Sequence, residues 1–460
     1  VTHHGRFIAA LSILLVCASC ASPATLSSQT ALTERVKAPV VTGQGALPPR
    51  ASERVVEQRL DDRHATEHVR EMIDAFRKRA AAPLVAGNRV ALLVDGPQTL
   101  QAIRVAIENA QHHVHLETYI FSEDEIGRAL RELLISRRQR GVEVRVLYDA
   151  IGSVTTPAEF FEPMRQAGVE VLPFRPLNPT RTLPWKINNR DHRKIVVVDG
   201  RFAFTGGINI SSTYASASSS RPGPDTGREE AWRDTHVQIE GPVAAQFQKL
   251  FLHTWERAGG RADGGSAQYF PPLAPMGAEL VAAVATSGGD RSETTIYDTY
   301  AVSIGHASRR LWMTQAYFAP DSGLRRGLIA AAKRGVDVRI IVPSFTDSGL
   351  IFHASRKDYD ELLAGGVRIY EQRYALLHAK SMVIDTALSM IGSANFDMRS
   401  FLHNNEVNAV VVGSEFAQRL EALFERDLRD TRELKLQSWR QRPWTDRFKE
   451  FASGLFSYWL

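Results

Sequence analysis

The stretch Asp191-His192-Arg193-Lys194-Ile195-Val196-Val197-Val198-Asp199, with Thr205-Gly206-Gly207-Ile208-Asn209 close behind it, decides how the rest of the chain is read. It returns as Leu377-His378-Ala379-Lys380-Ser381-Met382-Val383-Ile384-Asp385, followed by Gly392-Ser393-Ala394-Asn395. Both copies run His-x-Lys, four residues, Asp, then a Gly-rich turn and an Asn. The Ile195–Val198 run is short and β-branched, which predicts a buried strand. Residues two apart on an extended chain face the same side. His192 and Lys194 therefore present an imidazole and an ammonium together, as do His378 and Lys380. Asn209 and Asn395 can each add an amide donor. One His-x-Lys is ordinary on a strand edge. Two copies 186 residues apart (378 − 192), each with its own turn and Asn, are not an accident of composition.

Working outward, the segments around the two copies also repeat. Residues 88–96 read as a strand and turn, 99–111 as a helix, 114–121 as a strand, 126–140 as a helix capped by Gly141, and 142–149 as a strand. In the second half, 294–307 is helical, 311–318 matches the strand at 114–121, and a helix from 323 to 334 ends at Gly335. Residues 336–343 match 142–149. Even the joints agree: Arg140-Gly141-Val142-Glu143-Val144-Arg145 against Arg334-Gly335-Val336-Asp337-Val338-Arg339. Strands alternating with helices predict an α/β fold. The expectation is two fused repeats, each a mixed, mainly parallel sheet flanked by helices. The first spans 84–260 and the second 261–435, each far longer than a solenoid unit.

Between Leu172 and Arg190 lie Pro173, Pro176, Pro179 and Pro184 with Arg175, Arg181, Trp185 and Lys186, which predicts a rigid basic loop leading into His192. Residues 211–227 are rich in Ser, Gly and Pro and read as a loop beside the motif. Residues 436–460 form a tail in which Arg and Lys alternate with Trp and Phe. Such a tail suits a water–lipid boundary or packs on the body. Glu117 reads either as a surface-facing strand residue or as a carboxylate near the site, and His236 as structural.

The 460 residues are 44% hydrophobic and 23% charged, an ordinary globular composition with room for two or three domains. The net charge of +5 suits anionic partners without choosing among them. Both cysteines, Cys17 and Cys20, lie in the N-terminal stretch, so cysteine chemistry is excluded from the folded body. No HExxH, Cys/His cluster or dense acidic cluster occurs, and neither a metal nor a cofactor is expected. Residues 1–20 have the layout of a secretory signal: a basic start, a short apolar run, then Cys17-Ala18-Ser19-Cys20. That end resembles a bacterial lipoprotein box with Cys20 as the lipidated residue, which would place the protein in a bacterial envelope, on a membrane. Residues 21–83 read as a Ser/Thr/Ala/Pro-rich tether followed by amphipathic helices.

The duplicated His-x-Lys-x4-Asp pattern resembles the signature of the phospholipase D superfamily over most of residues 84–440. Within it, the segments 116–121, 146–153, 232–235 and 392–400 look most like bacterial cardiolipin synthases. The resemblance implies an active site at the interface between the repeats, with His192, Lys194, Asp199, His378, Lys380 and Asp385 as its motif residues. One imidazole attacks phosphorus and the other serves as acid and then base; by resemblance His192 is the nucleophile and His378 the acid. It also implies that Asp234 holds the first His and Glu406 the second, and that Lys194, Lys380, Asn209 and Asn395 bind the phosphate. Asp199 and Asp385, five residues past each Lys, are expected to face away and pair with backbone or a cation. The implied substrate is phosphatidylglycerol at a membrane surface, and nucleic acid is not expected. A phosphodiester hydrolase acting on lipid or nucleic acid is the alternative, since the motif does not reveal the acceptor.

Overall fold

Each motif strand sits in the middle of a seven-stranded order that the chain builds twice. In the computed structural model of the protein, the residues described are 37–60, 64, 66–79, 82–176, 188–216, 231–261, 266–288, 294–346 and 348–455. The first half comprises β1 (Val85–Val94), α1 (Asp95–Glu108), β2 (His113–Thr118), α2 (Glu125–Gln139), β3 (Glu143–Asp149), β4 (Glu170–Phe174), β5 (Ile195–Val198), β6 (Phe202–Gly206), β7 (Thr235–Glu240) and α3 (Ala244–Arg257). Across the sheet the order is β4-β3-β2-β5-β6-β7-β1. The second half comprises β8 (Glu279–Thr286), α4 (Thr295–His306), β9 (Arg310–Gln315), α5 (Ser322–Lys333), β10 (Asp337–Pro343), β11 (Arg368–Gln372), β12 (Lys380–Ile384), β13 (Leu388–Gly392), β14 (Glu406–Val412) and α6 (Ser414–Leu428). Its order is the same, β11-β10-β9-β12-β13-β14-β8. The two first strands, β1 and β8, pair antiparallel at Asn88 with Glu279 and Val85 with Val281, which joins the halves into one sheet.

Local signals explain most of these boundaries. Asp124 and Asp321 cap α2 and α5, accepting hydrogen bonds from Gly127 N at 3.0 Å and Leu324 N at 2.9 Å. Gly141 and Gly335 follow the two helices with φ of 89° and 94°, where a side chain would be strained. Crossover helices permit the parallel pairs β2–β3 and β9–β10. After each motif strand the chain instead reverses at once, through Asp199-Gly200 (φ 53° and 59°) and Asp385-Thr386 (φ 51° and 56°). Those reversals make the rest of each sheet antiparallel. The expected mainly parallel pairing therefore holds for β2-β3-β4 and β9-β10-β11 but not beyond the motif strands.

The Pro-rich segment also differs from its reading as loop. Residues Glu170–Phe174, Pro173 included, form β4, parallel to β3. Pro173 is tolerated because β4 is an edge strand among the described residues, so no ladder bond is lost on its open side. Residues 177–187, with Pro179, Arg181, Pro184, Trp185 and Lys186, lie outside the described residues, as do 217–230.

The described residues pack as one unit. A single cluster of buried side chains runs through both halves, from Val90, Val237 and Phe247 to Val281, Val383, Val407 and Phe416. Each such side chain contributes about 1.5–3 kcal/mol when fully buried. The helix Glu67–Arg79 buries Val69, Met72, Ile73 and Phe76 and packs on α4, as its spacing predicts.

Candidate active site

Each motif histidine is held by the other half of the molecule. Just before β5, His192 N donates to Asn405 O at 3.0 Å, and Asn405 N to Arg190 O at 2.8 Å. Just before β12, His378 N donates to Arg233 O at 2.8 Å, and Leu376–Leu377 pairs parallel with Trp232–Arg233. The side chains follow the backbone. His192 Nδ1 lies 2.9 Å from Glu406 Oε1, and His378 Nδ1 lies 2.8 Å from Asp234 Oδ2. This corrects the expected pairing, in which Asp234 held His192 and Glu406 held His378. The physical reason is that the segments entering the two motif strands cross to the facing half, so the nearest carboxylate is the foreign one. Order along the chain cannot show that crossing.

With each Nδ1–H donated to a carboxylate, each Nε2 is left as the reacting nitrogen. The two lysines are placed alike. Lys194 Nζ donates to His192 O at 2.7 Å and Lys380 Nζ to His378 O at 2.5 Å, and both are buried. The four groups share one cluster: His192 feels the charges of Lys194, Lys380 and His378, and Lys194 feels Lys380 and Asp234. Tyr119 stands edge-on to the His192 ring at 5.0 Å, while Trp232 and Tyr317 lie 5.4 and 6.5 Å from the His378 ring. These half-buried aromatics border the imidazoles.

The turn residues have distinct tasks. A Cβ on Gly207 would come within 2.2 Å of Asp234 Oδ1, so only glycine lets that carboxylate reach His378. The matching residue in the second half is Ser393, whose Oγ donates to Glu406 Oε2 at 2.5 Å. Asn209 accepts from Ile120 N at 3.2 Å and donates to Tyr214 Oη at 2.8 Å, which fixes its amide. The buried Asn395 Oδ1 has no partner among the described residues.

Burial lowers the His192 pKa well below its usual value, with the charges of Lys194 and Lys380 acting in the same direction. His378 is lowered as well, first by burial and then by Lys380, against the pull of Asp234. The two carboxylates behave differently. Burial pushes Glu406 up to about 7, despite Lys194 and the Ser393 bond. Burial works the same way on Asp234, but there His378 and Lys380 win, and its pKa is lowered. Burial also brings Lys194 down to about 7.

Asp199 and Asp385 lie away from this cluster. Asp199 accepts from the N–H groups of Gln111, His112 and His113 at 2.8–2.9 Å, and Asp385 from those of Ser308, Arg309 and Arg310 at 2.8 Å. Each pins the start of the neighbouring strand, so their part in the motif is architectural. His236 is buried, and burial lowers it to about 3 against the pull of Asp234, with Lys194 lowering it further.

One residue that the sequence reading left open is placed by the structure, and two features escaped that reading. Glu117 is buried, not surface-facing, and lies against Asp191, itself fully buried. Burial raises Glu117 well above the usual range and Asp191, the residue preceding His192, to about 6. Arg193 bridges the halves beneath the site, donating to Thr286 O at 2.6 Å, Thr254 Oγ1 at 2.9 Å and Glu406 O at 3.2 Å. Arg399, half-buried, adds a further cation that depresses His192. Its segment was singled out for resemblance, but nothing in an isolated Arg marked its side chain. Cys20 and the rest of residues 1–36 lie outside the described residues. Among the described residues no helix is long and apolar enough to cross a membrane.

A duplicated lobe with two His/Lys pairs converging on one cluster defines a phospholipase D-like enzyme. The family described as cardiolipin synthase, PLD-like domain, matches residues 103–255 and 300–428. A cardiolipin synthase of Geobacillus sp. (strain WCH70) is 36% identical over 397 residues, covering 85% of this chain and 76% of that protein. A probable cardiolipin synthase of Bacillus subtilis (strain 168) is 36% identical over 370 residues, covering 80% and 72%. In fold, the chain is similar to the crystal structure of phosphatidylserine synthase from Haemophilus influenzae Rd KW20, with a TM-score of 0.64 at 15% identity over 85% of this chain and 100% of that one. The chain belongs to the cardiolipin synthase family of phospholipase D-like enzymes.

Proposed function

We propose that the protein is a phosphatidyltransferase that joins two phosphatidylglycerol molecules into cardiolipin, releasing glycerol. The observation that carries this reading is the pair of imidazoles, each tied through Nδ1 to a carboxylate of the opposite half and flanked by a buried lysine. Family membership supplies the lipid chemistry.

His192 Nε2 attacks the phosphorus of the first phosphatidylglycerol. The bond from phosphorus to the glycerol oxygen breaks, and His378 Nε2–H gives that oxygen its proton. The phosphatidyl group now sits on His192. His378, now neutral, takes the proton from a hydroxyl of the second phosphatidylglycerol, whose oxygen attacks phosphorus and frees His192. Lys194, Lys380, Asn209 and Asn395 hold the charge on the phosphate oxygens. The electrostatic asymmetry supports this division of labour. A firmly ionised Asp234 favours an imidazolium at His378, while His192, depressed by burial and cations, is a neutral nucleophile.

The two repeats are taken as 84–260 and 261–435. The substrate brings the protein to a membrane surface, and lipidation at Cys20 would hold it there in a bacterial envelope. The test is purified protein with labelled phosphatidylglycerol and EDTA throughout. Cardiolipin plus glycerol, undiminished by EDTA, is the expected result. Phosphatidic acid as the sole labelled product would make the protein a hydrolase instead.

A further inference from the structure

We propose that the helix Trp444–Gly454 is a docking element that lays the protein on an anionic lipid surface; this rests on the lipid substrate argued above and names the element that meets it. The helix carries half of the eight large hydrophobic residues that are exposed among the described residues: Trp444 at 74%, Phe448 and Phe451 at 63%, and, directly after it, Leu455 at 69%. Singly exposed apolar residues need no explanation, but a contiguous stripe does. At about 100° per residue, positions 444, 448, 451 and 455 fall within about 60° of one another. The opposite side is fixed to the body. Glu450 and Ser453 are buried, and Glu450 accepts from Arg442 Nε at 3.1 Å and Nη2 at 2.5 Å. The Arg442 guanidinium lies 4.1 Å over the buried Trp439 ring. The tail therefore divides: its start packs on the body through Trp439, and the helix that follows turns an aromatic face outward.

The flanks of that face choose the occupant. Arg447 is exposed about 40° beyond one edge of the stripe, and Lys449 is exposed further round the other side. An apolar stripe with a cation at its edge and a second beyond it matches the boundary of a bilayer with anionic headgroups, where rings enter the acyl edge and cationic groups meet phosphate. A second protein with a buried apolar groove would not require a cation at the border. The position is also apt. The helix packs on the helix Gly349–Arg356, which packs on Phe318–Ala319. That strand pairs with Phe396–Asp397, immediately after Asn395 of the second motif. One helix and one strand pair thus connect the docking helix to the residues that receive the lipid phosphate.

The experiment uses the full chain carrying Cys20→Ser, so that no acyl group contributes. Co-sedimentation is measured with vesicles of phosphatidylcholine alone and of phosphatidylcholine with phosphatidylglycerol. Wild-type binding to the anionic vesicles should fall at least tenfold in the triple variant Trp444→Ser, Phe448→Ser, Phe451→Ser. In Arg447→Glu, Lys449→Glu it should fall several-fold, with the loss specific to anionic vesicles. Activity of both variants in detergent mixed micelles, where docking is dispensable, should stay within about twofold of wild type, which also shows that they fold. Unchanged vesicle binding in the triple variant would overturn the proposal, as would a change from dimer to monomer by light scattering, which would assign the face to a second copy. Absence of cardiolipin in micelles with intact vesicle binding would strike the catalytic reading alone.

Discussion

The two histidine–carboxylate pairs share a geometry and differ in the residues around the carboxylate. His378 and Asp234 stand 2.8 Å apart, His192 and Glu406 2.9 Å. Asp234 packs against Gly207, accepts from Thr235 N at 2.7 Å and is held below its usual pKa by His378 and Lys380 against burial. Glu406 is wholly buried, accepts from Ser393 Oγ at 2.5 Å and Asn404 Nδ2 at 3.2 Å, and is pushed up to about 7 by that burial. Duplication supplied two equivalent imidazoles. Divergence of the residues behind them gives each a different protonation habit, which a nucleophile and an acid require.

The sharpest way to break this comparison is to remove each ring. His192→Ala should lower turnover by about 10⁴-fold or more and abolish any covalent phosphatidyl-enzyme in acid-avoiding quench experiments. His378→Ala should cost about 10²–10⁴-fold with phosphatidylglycerol. Removing the carboxylates comes next. Glu406→Gln and Asp234→Asn should each cost about 10³-fold in kcat, because the amide favours the wrong imidazole tautomer.

The pH profile sharpens the comparison. Below about 7 a protonated Glu406 donates to His192 Nδ1, which puts the ring proton on Nε2 and disables attack. Above about 7 Lys194 loses its charge, because burial has lowered it to that point. The profile of kcat/KM should therefore peak near neutrality. The alkaline limb should move upward in Lys194→Arg, since a guanidinium stays charged. The smallest effects concern the turns. Ser393→Ala removes a bond that favours ionised Glu406, so the acid limb should shift to higher pH with a few-fold loss at neutrality. Gly207→Ala should cost about tenfold through displaced Asp234.

The sequence made the element order, the duplicated helices and His192, Lys194, His378 and Lys380 legible, because each rests on local periodicity or a repeated spacing, while Asp234 and Glu406 were legible only through the resemblance to the phospholipase D superfamily. It did not show which carboxylate meets which ring. That depends on segments near Arg190 and Leu376 crossing to the facing half, a non-local contact with no local signal. It also left Glu117 as a strand residue of either face, since a buried carboxyl has the same letter as an exposed one. The antiparallel turn after each motif strand was visible as Gly and Asp but was outweighed by the helix–strand alternation before it. Pro173 was read as a breaker because its place on an edge strand is a property of the sheet.

The central claim is that each imidazole is governed by the carboxylate of the opposite half. A phosphatidyl ester of p-nitrophenol tests it most directly, because that leaving group needs no proton and its release reports attack by the nucleophile alone. The account predicts that Asp234→Asn retains a rapid burst of one p-nitrophenol per enzyme, within a few-fold of the wild-type rate, followed by slow turnover, and that Glu406→Gln loses the burst. The reverse pattern, a burst lost in Asp234→Asn and kept in Glu406→Gln, would contradict it.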